Sequence, residues 1–185
     1  MKNIYLSLNA SAENELLKNK LSNDPEFNLI DADEIKDHKC TIIVNGPLTE
    51  TANLLLNRYK LNDNIEEILF VGGTDSYGDV TAVAEKNIYD DIKSAQAVFL
   101  SEVHIVIFGL NVTRHLDNRA LLPYMYLKDK TAFTTDECGA YIETQGTCTL
   151  GKMVIDVYSD KQFEQHNCEI ILDFDNNKYK NILKG

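Results

Sequence analysis

Tryptophan is absent from this 185-residue chain, proline occurs three times, and no apolar run exceeds the length of a strand. A membrane-spanning helix needs about 20 consecutive apolar residues, which these short runs exclude. The N-terminus also lacks the charged start and apolar segment of a signal peptide, so a cytoplasmic protein is the expectation. Cys40, Cys138, Cys148 and Cys168 form neither a C-x-x-C pair nor a His/Cys cluster, which points to reduced thiols rather than a disulfide frame or a zinc site. Basic residues are in short supply: 18 Lys and Arg against 29 Asp and Glu leave a net charge of -11, with no basic cluster. Nucleic-acid backbones and anionic membranes select Lys/Arg patches, so neither is an expected partner. A small neutral ligand, another protein or a second copy of the chain remains.

The length suits one domain over residues 1–185, since a chain of this size buries roughly 70% of the surface its unfolded form exposes. Apolar runs give strands at Asn3–Leu8, Phe27–Ile30, Cys40–Val44, Glu67–Val71 and His104–Phe108. Helical patterns follow the first strand, with Leu16, Leu17 and Leu21 on one face, and the third, ending near Tyr59. Another runs from Ile92 to Glu102, and the chain closes with strands at Met153–Tyr158 and Glu169–Phe174 and a helix over Asn176–Leu183. Strands alternating with helices predict an α/β fold, a mostly parallel open sheet flanked by helices.

The most informative stretch is Val71–Asp91, VGGTDSYGDVTAVAEKNIYDD. A buried strand breaks at Gly72-Gly73 into a loop carrying Asp75, Asp79, Glu85 and Asn87, and the spacing predicts the next helix only at Lys93. Four polar side chains thus gather where open α/β sheets place their ligand crevice. No G-x-x-x-x-G-K-[ST] or G-x-G-x-x-G follows the two glycines, which argues against a phosphate cradle.

GDVTAVAEKNIYDD resembles the G-N-V-T-P-x-A-E-F-N-I-Y-x-D-P signature of the nucleoside hydrolases, which cleave nucleosides to base and ribose. The opening, Lys2 to Ala12 and on to Asn14, is similar to the family's K-x-I-x-L-D-x-D-P-G-x-D-D-A; IVNGPLTE is similar to its T-G-P-L-T-N turn, and Gly109–Thr113 to its G-L-D-V-T. Later fragments, Tyr126-Leu127 and Glu143–Gly151, also look like the family, so the resemblance covers nearly the whole chain in pieces. It implies a shortened nucleoside-hydrolase fold, with lengths missing at the second strand and in a helical insertion.

The resemblance also implies site residues. Ser7, Asn9, Glu13 and Asn14 stand where the family has four aspartates that hold calcium and activate water. Asn45 stands where a backbone carbonyl ligates that ion, so Asn9, Asn14 and Asn45 are metal positions with most of their charge removed. Glu13 takes the place of the catalytic base, and Asp79, Glu85 and Asn87 match substrate-binding positions. Asp79 replaces the family's Asn, Lys86 replaces an aromatic residue, and Arg119 and Ala120 fall near a His-Asp pair that this chain lacks; His115 is not its equivalent.

Charge decides what these replacements imply. One carboxylate against a dication gains about 10 kcal/mol of gross Coulomb energy at an effective dielectric near 20, before desolvation. With three of the four carboxylates gone, no cofactor is expected, although the family uses calcium. Glu13 could still draw a proton from water, yet Glu in a first helical turn also simply complements the helix dipole. Asp31 and Asp33 could rebuild a weak divalent site beside Asn9 or be a solvated strand end. Tyr124 or Tyr126 could face the pocket, although such positions also serve cores. The functional expectation is a nucleoside-hydrolase-like protein without calcium-dependent catalysis, retaining at most a nucleoside or ribosyl ligand or a partner role. The alternative is an active N-ribohydrolase using Glu13 as general base.

Overall fold

A computed structural model describes residues 1–57, 62–158 and 167–184. Eight strands form one sheet: β1 (Lys2–Leu8), β2 (Phe27–Leu29), β3 (Cys40–Asn45), β4 (Ile65–Val71), β5 (Ile105–Phe108), β6 (Phe133–Ile142), β7 (Met153–Asp156) and β8 (Cys168–Phe174). The helices are α1 (Ala12–Asn23), α2 (Thr49–Asn57), α3 (Lys86–Tyr89), α4 (Ile92–Phe99), α5 (Leu110–Thr113), α6 (Leu121–Lys128) and α7 (Asn176–Lys184). The strand order is β2-β1-β3-β4-β5-β8-β6-β7. Pairing is parallel from β2 through β8, and only β6 runs against its neighbours. The expected mostly parallel sheet flanked by helices is the observed architecture.

Alternation along the central strands divides the core between the two faces. Ile42, Val44, Ile68, Phe70, Ile105 and Ile107 point to one face and pack with Ala52 and Leu55 of α2 and Ala95, Val98 and Phe99 of α4. Ile43, Leu69, Val71, Val106 and Phe108 point to the other and pack with Leu17 and Leu21 of α1, Leu121, Leu122 and Met125 of α6, and Tyr179 of α7. Each Val, Leu, Ile, Phe or Met among these contributes about 1.5–3 kcal/mol by leaving water. Cys40, Cys138 and Cys168 are buried and Cys148 exposed, all as free thiols; burial pushes Cys138 and Cys168 up to about 12, so they are inert thiols.

Three expectations need correction. The chain turns helical before Lys93, because Lys86–Tyr89 already form α3. The helix expected over residues 92–102 stops at Phe99. The ten-residue β6 had no expected counterpart. The expected helix end near Tyr59 lies outside the described residues.

Topology places the site. The chain leaves β1 toward β2 on one side and builds β3, β4 and β5 on the other, so the β1/β3 boundary is where the winding reverses. The turns after β1 and β3 diverge there and leave a crevice at the carboxyl edge. β4 ends beside it at Gly72-Gly73, where sterics explain both glycines. A Cβ on Gly72 would lie 2.4 Å from the Phe70 ring and 2.9 Å from Glu85 Oε2, and Gly73 has φ +77°.

Candidate functional site

Asn9 follows β1, Asn45 ends β3, and Glu13 and Asn14 lie in the first turn of α1, whose N-cap Ser11 accepts from the Asn14 amide. The two turns are joined directly, since Asn9 N donates to Asn45 O at 3.3 Å. Asn14 Nδ2 donates to Asn9 O at 2.8 Å, Asn9 Oδ1 at 2.8 Å and Asn45 O at 3.1 Å. Asn14 Oδ1 accepts from Asn45 Nδ2 at 2.7 Å. Asn14 and Asn45 are buried, and so is Ser7 near the end of β1.

Glu13 stands at the rim of this amide cluster with 20% of its side chain exposed. Its Oε1 accepts from Asn45 Nδ2 at 3.3 Å and lies 3.6 Å from Arg119 Nε, while Oε2 accepts from the Ala120 amide at 3.4 Å. The stretch expected near a missing His-Asp pair therefore does reach the crevice, with Arg119 supplying a cation and Ala120 a backbone donor. His115 is exposed.

Glu85 and Asn87 come to the same edge from the turn after β4. Glu85 is the N-cap of α3 and is fully buried; its Oε2 accepts from Gly73 N at 3.0 Å, Asn87 N at 3.0 Å and Ile88 N at 3.3 Å. Its Oε1 has no hydrogen-bond partner among the described residues. Burial raises its pKa above the ordinary value, with the nearby Asp79 charge adding to the rise, while the Gly73 and Asn87 amides and the Arg119 charge oppose it. Asn87 donates Nδ2 to Val71 O at 2.8 Å. Asp79 is exposed and accepts from Lys86 N at 2.9 Å, a second acceptor for the start of α3. Lys86 itself points outward to Asp90, 2.7 Å away.

Other expected members of the site fall elsewhere or stay at its margin. Asp31 lines a groove of about 510 Å³ together with Asn9, Asn14, Glu15 and Glu50, and Asp33 is exposed two residues further on. Among the described residues no group of three or more His, Cys, Asp or Glu side chains could hold a metal ion. The two tyrosines do not face the crevice. Tyr124 donates to Asp24, just past the end of α1, and Tyr126 donates to Glu169 and packs edge-on against Phe108 and Phe133. Both α6 side chains thus serve the opposite end of the sheet or the core.

Sequence reasoning missed one arginine altogether, Arg114, and for Arg119, which the resemblance sets near the absent His-Asp pair, it missed the partner. Arg119 meets Glu13 from more than a hundred positions away, which no local spacing announces. Arg114 reaches back to the loop before α3, donating to Tyr77 O at 2.6 Å and to Gly78 O at 3.4 Å, with its guanidinium 4.2 Å from the Tyr77 ring centre. A lone Arg at the end of a four-residue helix gave no signal. No helix among the described residues is long and apolar enough to cross a membrane.

Comparison with known proteins gives the family and supports the fold. The inosine-uridine preferring nucleoside hydrolase family matches residues 7–124. A pyrimidine-specific ribonucleoside hydrolase RihA from Photobacterium profundum is 30% identical over 160 residues, covering 64% of this chain and 52% of that protein. A non-specific ribonucleoside hydrolase RihC from Klebsiella pneumoniae is 31% identical over 175 residues, covering 73% and 56%. The chain thus spans about half the length of these curated relatives. Among solved structures, a purine-preferring ribonucleoside hydrolase from Gardnerella vaginalis superposes with a TM-score of 0.69 at 19% identity, over 94% of this chain and 64% of the other. A plant nucleoside hydrolase gives 0.71 at 17% identity, over 83% and 64%, and at such identities the likeness concerns the fold. With the family match spanning well over half of its residues, from the end of β1 into α6, the chain belongs to the inosine-uridine preferring nucleoside hydrolases.

Proposed function

We propose that this chain is a member of its family without calcium-dependent hydrolysis, retaining a ribosyl compound or a protein as its binding partner. The observation that carries the reading is the Asn14 side chain, whose NH2 group is directed at the oxygens of Asn9 and Asn45. Calcium is held by six to eight oxygens and is tuned by the number of charged ligands. Here an amide donor occupies the space between the oxygens, and Ser7, Asn9 and Asn14 bring no carboxylate. The residues present do not fit the ion, and no step is assigned to it.

Glu85 supports the ligand half of the reading. Its Oε1 is a buried acceptor without a donor among the described residues, a costly arrangement that a sugar hydroxyl would relieve. The relatives named above are described as pyrimidine-specific, purine-preferring or non-specific ribonucleoside hydrolases, and a ribosyl group is what such substrates share. A cytoplasmic location and self-association remain part of the proposal.

One observation favours catalysis by the protein alone. Glu13 is partly exposed in the crevice, and Asn45, Ala120 and Arg119 orient its carboxylate, as a general base requires. Release of base and reducing sugar from inosine and uridine separates the two readings, with wild type and Glu13→Gln assayed in calcium and in chelator. No turnover is expected in any arm, together with a ribose- or nucleoside-dependent rise in melting temperature that Glu85→Ala abolishes. Hydrolysis by the wild type that disappears in Glu13→Gln would overturn the non-catalytic reading and establish the N-ribohydrolase.

A further inference from the structure

Three oxygens from two separate turns converge on one nitrogen. Asn9 O, Asn9 Oδ1 and Asn45 O lie 2.8, 2.8 and 3.1 Å from Asn14 Nδ2. Two of the three are backbone carbonyls, which only accept, so the group facing them must be the NH2 and the orientation of the Asn14 amide is fixed by chemistry. The other end of the amide is equally determined, because Asn14 Oδ1 accepts from Asn45 Nδ2 at 2.7 Å. Asn45 Nδ2 then passes its second contact to Glu13 Oε1 at 3.3 Å. An NH2 group has two hydrogens, so the three oxygens share them, and every atom of the Asn14 amide is used.

Oxygens gathered from different turns around one point repel one another unless something positive stands between them. A hard cation is the usual solution, and it draws carboxylates to itself. An amide NH2 is the neutral alternative, able to organise the same acceptors without any carboxylate. It leaves one debt, since Glu13 keeps its charge beside the cluster. Arg119 meets that charge at 3.6 Å, with both side chains about one-fifth exposed.

We infer that Asn14 and Arg119 together replace a divalent cation at the β1/β3 crevice: the Asn14 NH2 ties the turn after β1 to the end of β3, and the Arg119 guanidinium compensates Glu13. This rests on the reading that the crevice does not use calcium. The two tasks of one ion are divided between two side chains, both positioning residues. The crevice is held in shape without metal, and the identity of residue 14 sets whether it needs one. A carboxylate at position 14 cannot donate to Asn9 O and Asn45 O; it adds negative charge to the same shell and turns a closed amide ring into a cation-requiring centre.

The test compares melting temperatures in chelator and in millimolar calcium for wild type, Asn14→Leu and the double variant Asn9→Asp/Asn14→Asp, with terbium luminescence as a second readout. Wild type is expected to melt at the same temperature in both buffers and to give no terbium signal. The double variant should melt at least about 5 °C lower in chelator, recover most of that loss in calcium and bind terbium, as native-state ligand linkage requires. Asn14→Leu, which matches the size of Asn but cannot donate, should lose a similar amount and recover none. Calcium stabilisation of the wild type, an unchanged Asn14→Leu, or a double variant that calcium neither folds nor stabilises would each overturn the inference. For Arg119, the loss on Arg119→Met should shrink in a Glu13→Gln background, and an equal loss in both backgrounds would remove it from the assignment. Metal-free nucleoside turnover by the wild type would sink the functional reading alone and leave the assignment of Asn14 standing.

Discussion

Asn87 Nδ2 is bonded at 2.8 Å to the carbonyl of Val71, the last residue of β4, so α3 hangs directly from the sheet. The Asn87 backbone amide is occupied as well, by Glu85 Oε2. The side-chain NH2 and the backbone N–H of a candidate substrate-binding residue therefore serve the turn that carries it, and Asn87 is buried.

This makes Asn87 a stability residue first. Asn87→Ala removes the donor to Val71 O and should lower unfolding free energy by about 1–3 kcal/mol. Asn87→Asp should cost more, because it sets a carboxylate against a carbonyl oxygen in a buried place. Urea unfolding of the two variants ranks them, and an Asp variant as stable as the Ala variant would contradict the bond's direction.

The sequence was legible wherever a strand alternates between two covered faces. In β3, β4 and β5 nearly every residue is buried, so apolar runs marked them. β6 gave no such signal, because its first half, Phe133 to Glu137, is largely exposed and carries Thr, Asp and Glu. Its strand form is imposed by pairing with β8 from Phe133 to Cys138, a relationship between distant segments. α3 was missed for a different reason. Four residues hold no helical period, and the turn exists because Glu85 and Asp79 accept the amides at its start. The resemblance grouped Asn9, Glu13 and Asn14 with Asn45, and the fold brings the four into contact, yet a motif says nothing about which atom of Asn14 points inward. That depended on two carbonyls of the folded backbone.

Arg114 provides a test of the loop that carries Asp79. Its guanidinium spans Tyr77 O and Gly78 O and lies over the Tyr77 ring, three contacts that hold the loop to the end of α5. Arg114→Ala should speed amide exchange across residues 76–80 while lowering global stability by only about 1 kcal/mol, as the loop opens locally. Arg114→Lys should not restore protection, because an ammonium lacks the planar fork that reaches both carbonyls. Native-state hydrogen exchange reads the loop and the core separately. Unchanged exchange in the Ala variant would show that the loop is ordered by its own bonds, among them Gly78 N to Ala82 O and Asp79 N to Ala84 O.

Glu85 carries the clearest dependence on pH. Its carboxyl is fully buried, and burial lifts its pKa above the ordinary 4.5 despite the amides of Gly73 and Asn87 and the charge of Arg119. Because the folded value is the higher one, the folded state keeps its proton where the unfolded chain has lost it. The stability this group contributes is therefore complete below about 4.5, falls as pH rises toward the folded value, and is flat above it. Glu85→Gln keeps an oxygen for the three amides, places an NH2 where Oε1 has no partner among the described residues, and cannot ionise. The stability of the Gln variant relative to wild type should accordingly increase with pH through that window, by no more than about 1.4 kcal/mol per pH unit, and then level off. Taking the difference between the two proteins cancels the titration of the many exposed carboxylates, which both share. Denaturant unfolding of the pair from pH 4 to pH 8 measures it. A difference that stays constant over this range would mean that the amides of Gly73, Asn87 and Ile88 stabilise the charged form as strongly as burial opposes it.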